Sequence, residues 1–199
     1  MNKIKIPHDE FKQRRQQLFT GAMEHGVDAI IVYGDEYRKE NLRYVSNFWP
    51  LFERGATLFA PSYDPIVLCA PEGIELCREM SAWSDIRIVP DFLCVTVPDE
   101  IDYPLAHFTS FRKIAEELRQ KGVILKRLGV AGLDAMSGTL ERALGEAFGA
   151  ELVDVNSLLF QLRRIKSSNE IACLEEANRI ADTAYQMLVE TDLIGLTEI

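Results

Sequence analysis

Asp28-Ala29-Ile30-Ile31-Val32-Tyr33-Gly34 is the stretch on which the fold turns. A short unbroken apolar run ended by a glycine reads as a buried strand. Upstream, Phe11, Leu18, Phe19, Ala22 and Met23 make an apolar helical stripe that Gly26 closes, so the order is helix, then strand. Downstream, Asn41-Leu42-Arg43-Tyr44-Val45 reads as a short helix. Ala56 to Ala60 and Pro65 to Cys69 are strands around the compact loop Pro61-Ser62-Tyr63-Asp64, which makes part of the sheet antiparallel. Pro71 suits the first turn of a helix reaching about Trp83, with Ile74, Cys77 and Met80 inward, and Ile86-Arg87-Ile88-Val89 follows as a strand. Residues 90–104, rich in proline and acids, read as a loop. A helix from about Ala106 to Lys121 is expected to bury Phe108, Phe111, Ile114, Ala115 and Leu118, with Gly122 behind it. Leu128 to Gly132 is another strand, Ser137 caps a helix to Phe148, and Leu152-Val153-Asp154-Val155 closes the sheet. The class is α/β: a layered mixed sheet of about six strands flanked by helices, followed by a long helix.

That long helix starts at Ser167-Ser168-Asn169-Glu170, a capping box in which Ser167 and Glu170 satisfy each other's backbone N–H groups. Ile171, Leu174, Ala177, Ala181, Ala184 and Leu188 then recur at helical steps on one face. Gly195-Leu196-Thr197-Glu198-Ile199 reads as a turn into another capped element. The expected division is a first domain over residues 1–156, then residues 157–199 as a connecting helix and the first helix of a truncated C-terminal domain. Too little sequence follows the long helix to cover its apolar face, so self-association through Ile171, Leu174, Ala181 and Leu188 is expected.

A length of 199 residues with 47% hydrophobic content is ample for a core. The formal net charge of -9 disfavours nucleic acid and anionic membrane as partners, because phosphate contacts need clustered Lys and Arg. The basic clusters Lys12 to Arg15 and Arg163 to Lys166 read as solvated helix flanks. No apolar run suits a signal peptide or a membrane span, and a cytoplasmic protein is expected. Cys69, Cys77, Cys94 and Cys173 lack C-x-x-C spacing and read as buried, reduced thiols. His8, His25 and His107 are isolated, with no paired spacing for a metal.

Two constellations could carry chemistry. Gly129-x-x-Gly132, between strand and helix, could place a phosphate at a helix N-terminus, which keeps a nucleotide-binding domain among the alternatives. It lacks the full glycine fingerprint, and tight strand-to-helix packing explains the glycines better. Asp28, Asp35, Asp134 and Asp154 at strand ends could hold paired divalent ions, although Asp28 and Asp134 sit where turn residues belong. No nucleophile–base pattern stands out, and no catalytic or metal-ligating residue is assigned.

Asn41-Leu42-Arg43-Tyr44-Val45-Ser46-Asn47-Phe48, Leu162-Arg163-Arg164-Ile165-Lys166-Ser167 with Glu170-Ile171 and Ala177, and Gly195-x-Thr197-Glu198 resemble the creatinase and Xaa-Pro peptidase (prolidase) family across essentially the whole chain. The resemblance implies a non-catalytic lid, dimerisation and substrate-access domain of a creatinase-like or Xaa-Pro dipeptidase- or aminopeptidase-like metallohydrolase. Its partner would be its own C-terminal catalytic domain, in a homodimer acting on a peptide or small amidine. In that family the catalytic domain holds two divalent ions, commonly manganese or cobalt, on ligands that would lie beyond Ile199. The chain alone is therefore expected to be inactive. Phe52-Glu53-Arg54 resembles the Phe-x-Arg by which creatinase reaches a neighbouring subunit's active site. The resemblance thus implies substrate contact in trans, with Phe52 giving apolar shape and Arg54 pairing with a substrate carboxylate. The competing class is a stand-alone homodimeric interaction module without catalysis.

Overall fold

The buried run is a strand, β1, Ala29–Gly34, with every residue buried. The structure, a computed structural model, describes residues 4–93, 107–192, 194, 195 and 197. Cys94, Ala106 and most of the expected turn at 195–199 lie outside them. β1 joins β2 (Gly55–Phe59), β3 (Ile66–Cys69), β4 (Asp85–Ile88), β5 (Arg127–Ala131) and β6 (Glu151–Asp154) in one sheet of order β4-β3-β2-β1-β5-β6. β1 runs antiparallel to β2, and β2 to β3. The other pairings, β3 with β4, β1 with β5 and β5 with β6, are parallel. The short loop at residues 61–64 returns the chain antiparallel between β2 and β3, and the helical connections from β3 to β4 and from β5 to β6 return it parallel, whereas the connection through α2 brings β2 back antiparallel to β1.

Helices cover both faces. Ala29, Ile31 and Tyr33 share an apolar cluster with Phe111, Ile114, Ala115 and Leu118 of α4 (Phe111–Gln120) and Leu140, Leu144 and Phe148 of α5 (Gly138–Phe148). Ile30 and Val32 point to the opposite face by strand alternation. There α2 (Glu40–Ser46) contacts β1 and β2, and α1 (His8–Glu24) contacts α2 and α6 (Asn156–Arg164). Ser137 caps α5 by accepting the Leu140 N–H.

Four expectations need correction. Cys173 is partly exposed rather than buried. The helix beginning at Pro71 opens as a 3₁₀ turn, and its α-helical part, α3 (Ile74–Met80), stops short of Trp83. The Ser81 hydroxyl binds the Trp83 N–H and carbonyl, offering the backbone an alternative to another helical turn. Trp83 instead packs edge-on against His8 and Phe59 and donates its indole N–H to Val45 O at 2.9 Å. Phe108 is not on a buried helix face: α4 begins at Phe111, capped by Ser110, while Phe108 bridges to Ile88 beside β4 and is half exposed. Arg14 is not a solvated flank residue. It is 5% exposed, lies 4.0 Å from the Tyr44 ring centroid, donates to Tyr44 O at 2.7 Å and pairs with Glu10, fastening α1 to α2.

Residues 8–164 form one compact unit; residues 1–7 and 165–199 form another. The second contains α7 (Ser168–Glu190), opened by the expected capping box: Glu170 N–H donates to Ser167 Oγ at 3.1 Å and Ser167 N–H to Glu170 Oε2 at 2.9 Å. No residue of α7 is buried.

Candidate functional site

The loop between α2 and β2 is built residue by residue to hold one shape. Asn47 ends α2 in the left-handed region, φ 61°, and its side-chain amide donates to Met80 O at 2.8 Å. Phe48 is fully buried; a methyl at Gly55 would stand 2.5 Å from its ring, so β2 must start with glycine. Trp49 packs under two cations, with Arg43 Cζ 4.4 Å and Lys39 Nζ 5.0 Å from the ring centroid, and Lys39 also donates to Pro50 O at 3.1 Å. Phe48 and Trp49 are thus the anchors of the loop.

Beyond the anchors the chain alternates. Phe52 is 49% exposed, whereas Glu53 is 2% exposed. Glu53 Oε2 accepts from two successive backbone groups, Leu51 N–H and Phe52 N–H, each at 3.0 Å. Glu53 Oε1 is buried without a hydrogen-bond partner. Leaving a buried acceptor unmatched costs about 1–3 kcal/mol, so the contact geometry must offset it. Arg54, partly exposed, donates from Nη1 to Leu93 O at 3.3 Å. The expected pair Phe52 and Arg54 is therefore presented outward on one loop while the residue between them turns in. Chemically, an apolar ring beside a guanidinium fork suits a ligand with an apolar body and a carboxylate.

The other constellations do not converge. Asp28 precedes β1 and accepts Lys126 N–H and Arg127 N–H, each at 2.8 Å, whereas Asp35 lies just past the opposite end of that strand. Asp35 accepts Tyr37 N–H and Arg38 N–H; Asp134 pairs with Arg38 and Asn156; Asp154 accepts Asn156 N–H. Among the described residues no three His, Cys, Asp or Glu side chains are grouped to hold a metal. Gly132 N–H is taken by Asn156 Oδ1 at 2.6 Å, and Gly129 packs against Val27 and Val155, so this pair of glycines serves close packing. A cavity of about 540 Å³ lies by the start of β1, lined by Lys12, Arg15, Phe19, Met23, Val27 and Asp28 among others. Phe52 and Arg54 adjoin Gly55, which pairs with Gly34 at the other end of that strand.

Two polar arrangements escaped the sequence reading. Arg87, 5% exposed, is clamped by Asp85, at 2.8 and 2.7 Å, and by Glu117, at 2.6 and 3.3 Å; Tyr63 also donates to Glu117. Asp85 and Arg87 are two apart on a strand and so share a face, a signal that was available. The Arg87 hydrogen bonds hold the Glu117 carboxyl down at about 2, against its ordinary 4.5. Buried Cys69 and Cys77 form the second arrangement: the Cys77 thiol is pushed up, first by its hydrogen bond with Cys69 and then by burial, which keeps it neutral and inert.

The comparisons with known proteins agree with this architecture. A family model described as the creatinase/prolidase N-terminal domain matches residues 14–165. The uncharacterised peptidase YqhT of Bacillus subtilis strain 168 is 40% identical over 75 residues, 38% of this chain and 21% of the relative. Among solved structures, a Xaa-Pro dipeptidase from Bacillus anthracis aligns with a TM-score of 0.60 at 21% identity, over 90% of this chain and 43% of that one. A prolidase from Pyrococcus horikoshii OT3 aligns with a TM-score of 0.55 at 20% identity, over 94% and 44% respectively. The N-terminal domain of the cytoplasmic peptidase PepQ from Mycobacterium tuberculosis H37Rv aligns with a TM-score of 0.53 at 20% identity, over 75% of this chain and 98% of that one. The chain thus spans less than half of the two longer structures and about a fifth of the curated relative. With a family match over most of its length and a mixed six-stranded sheet like theirs, the chain belongs to the creatinase/prolidase N-terminal domain family.

Proposed function

We propose that this chain is the non-catalytic N-terminal domain of a cytoplasmic Xaa-Pro dipeptidase- or aminopeptidase-like, or creatinase-like, metallohydrolase. It acts as lid, dimerisation surface and substrate-access element. The match over residues 14–165 carries the reading. In it the first domain is residues 1–156, and residues 157–199 lead into a C-terminal catalytic domain that holds two divalent ions of manganese or cobalt type. Such ions, when bound in that catalytic domain, would supply Lewis-acid polarisation of the scissile group and an activated water. This chain's residues bind and orient: Phe52 and Arg54 reach the partner subunit's substrate, a peptide or small amidine, with Arg54 pairing to its carboxylate. Their outward presentation on an anchored loop supports that role.

The test is kinetic. In an enzyme carrying this domain, Arg54→Ala should raise KM for a carboxylate-bearing substrate roughly tenfold or more, the size of a lost charge-assisted hydrogen bond. An unchanged KM would falsify the role of Arg54. The purified 199-residue chain should show no metal-dependent cleavage of Xaa-Pro dipeptides, and measurable turnover would refute its non-catalytic status. Sedimentation tests dimerisation: pairing through Ile171, Leu174, Ala181 and Leu188 is expected, and a strict monomer argues against it.

A further inference from the structure

The residue between the two outward side chains deepens this reading. Glu53 is nearly inaccessible, yet among the described residues it ties to no distant element: Oε2 accepts from Leu51 N–H and Phe52 N–H, its own neighbours, each at 3.0 Å. Two bonds from consecutive amides to one oxygen fix the peptide planes immediately before and after Leu51, and hence the direction in which Phe52 leaves the loop. The other oxygen, Oε1, has no hydrogen-bond partner among the described residues and rests against the backbone of Gly73. Gly73 has φ -93° and ψ 0°, a conformation open to other residues, so its backbone does not demand glycine. A methyl there would stand 2.4 Å from Glu53 Oε1, so an alanine at this position obliges the end of the Glu53 side chain to move. The site is shaped to admit a carboxylate whose bonds all go to the loop.

We propose that Glu53 is the positioning residue of the Phe52–Arg54 loop. Its inward carboxylate, seated on Gly73, sets Phe52 and Arg54 in the conformation that meets substrate. The inference rests on the reading of Phe52 and Arg54 as substrate-facing residues. Glu53 itself contacts no substrate; it acts through its two neighbours.

Three single variants at Glu53 and Gly73, set against Arg54→Ala and one double variant, test it, read two ways. In the 199-residue chain, amide hydrogen exchange at Leu51 and Phe52 should accelerate at least tenfold in Glu53→Ala. The amides of Ile31 and Val32 in the sheet should stay protected and accelerate no more than about fivefold, which also reports that the variant is folded. Glu53→Gln retains one carbonyl acceptor and should lie between the two. Gly73→Ala leaves Glu53 in place but displaces its carboxylate, and should accelerate the same two amides. In an enzyme carrying the domain, Glu53→Ala and Gly73→Ala should raise KM while kcat holds, Glu53→Gln should restore part of the loss, and the Glu53→Ala/Arg54→Ala double variant should be little worse than Arg54→Ala. Unaltered exchange at Leu51 and Phe52 in Glu53→Ala overturns the inference whatever the kinetics. So does a KM that responds to Arg54→Ala but not to Glu53→Ala, and in that case the substrate reading stands. A KM indifferent to Arg54→Ala sinks the substrate reading instead, and with it any role of Glu53 in the reaction.

Discussion

Glu117 and Glu53 are both glutamates held close to arginine-bearing segments of the same unit, yet they are used in opposite ways. Glu117 keeps 36% of its side chain exposed and has both oxygens partnered, by Arg87 from β4 and Tyr63 from the turn between β2 and β3. It joins three parts of the architecture. Glu53 is far more buried and, among the described residues, bonds to its adjacent residues alone and leaves one oxygen unmatched. A carboxylate that bridges elements contributes to the stability of the whole, whereas one that bonds its own neighbours shapes a short stretch. Burial alone would have ranked the two in the wrong order.

The largest expected effect breaks the first site. Arg87→Ala leaves Asp85 and Glu117 facing each other without their cation, and should destabilise the domain by about 2–4 kcal/mol, discounted because both carboxylates reach water. A urea midpoint that stays put would remove Glu117 and Arg87 from the stabilising set. Acid should act in the same direction. The folded carboxyl of Glu117 titrates near 2 rather than 4.5, so its contribution is fully present above about pH 4.5 and fades as the pH falls toward 2. Glu117→Gln should flatten the stability profile across that window, and a profile superimposable on wild type would show that the clamp is not electrostatic. At the second site, Glu53→Ala should cost only about 1 kcal/mol globally, since Leu51 and Phe52 lie at the surface and their freed N–H groups can find water. A loss as large as that of Arg87→Ala would erase the contrast. The smallest change belongs to Arg54→Ala, within about 0.5 kcal/mol of wild type in chemical denaturation, because its contact with Leu93 O is a single exposed bond.

Most of the architecture was legible because it rests on local chemistry. The run at 29–33, the turn at 61–64 and the Ser137 and Ser167 caps each name their own structure within a few residues, whereas the placement of β5 beside β1, strands distant in the chain, has no such local signal. Trp83 and Phe108 were misplaced because apolar periodicity continues past the point where a serine ends or begins a helix: Ser81 diverts the backbone after α3, and Ser110 starts α4 two residues after Phe108. Arg14 was misread for another reason. Its charge suggested water, and only the arrival of the Tyr44 ring and carbonyl from α2 makes burial favourable. At the candidate site, Phe52 and Arg54 came from a motif likeness rather than from physics. Glu53 could not have been singled out at all, since its environment depends on Gly73 twenty residues on in the chain, brought alongside by β2 and β3.

The two borders of the sheet are finished differently. β4 is flanked by residues 107–109, whose backbone bonds to Ile88 occupy part of its outer rim. At the opposite border β6 is only four residues long, and its first and last residues, Glu151 and Asp154, are both exposed acids. Another copy trying to extend the ladder there in antiparallel fashion would bring carboxylates against carboxylates over a stretch too brief to repay the repulsion. Fibrous stacking through this rim is thereby discouraged, and any assembly of the molecule is steered toward its helical surfaces.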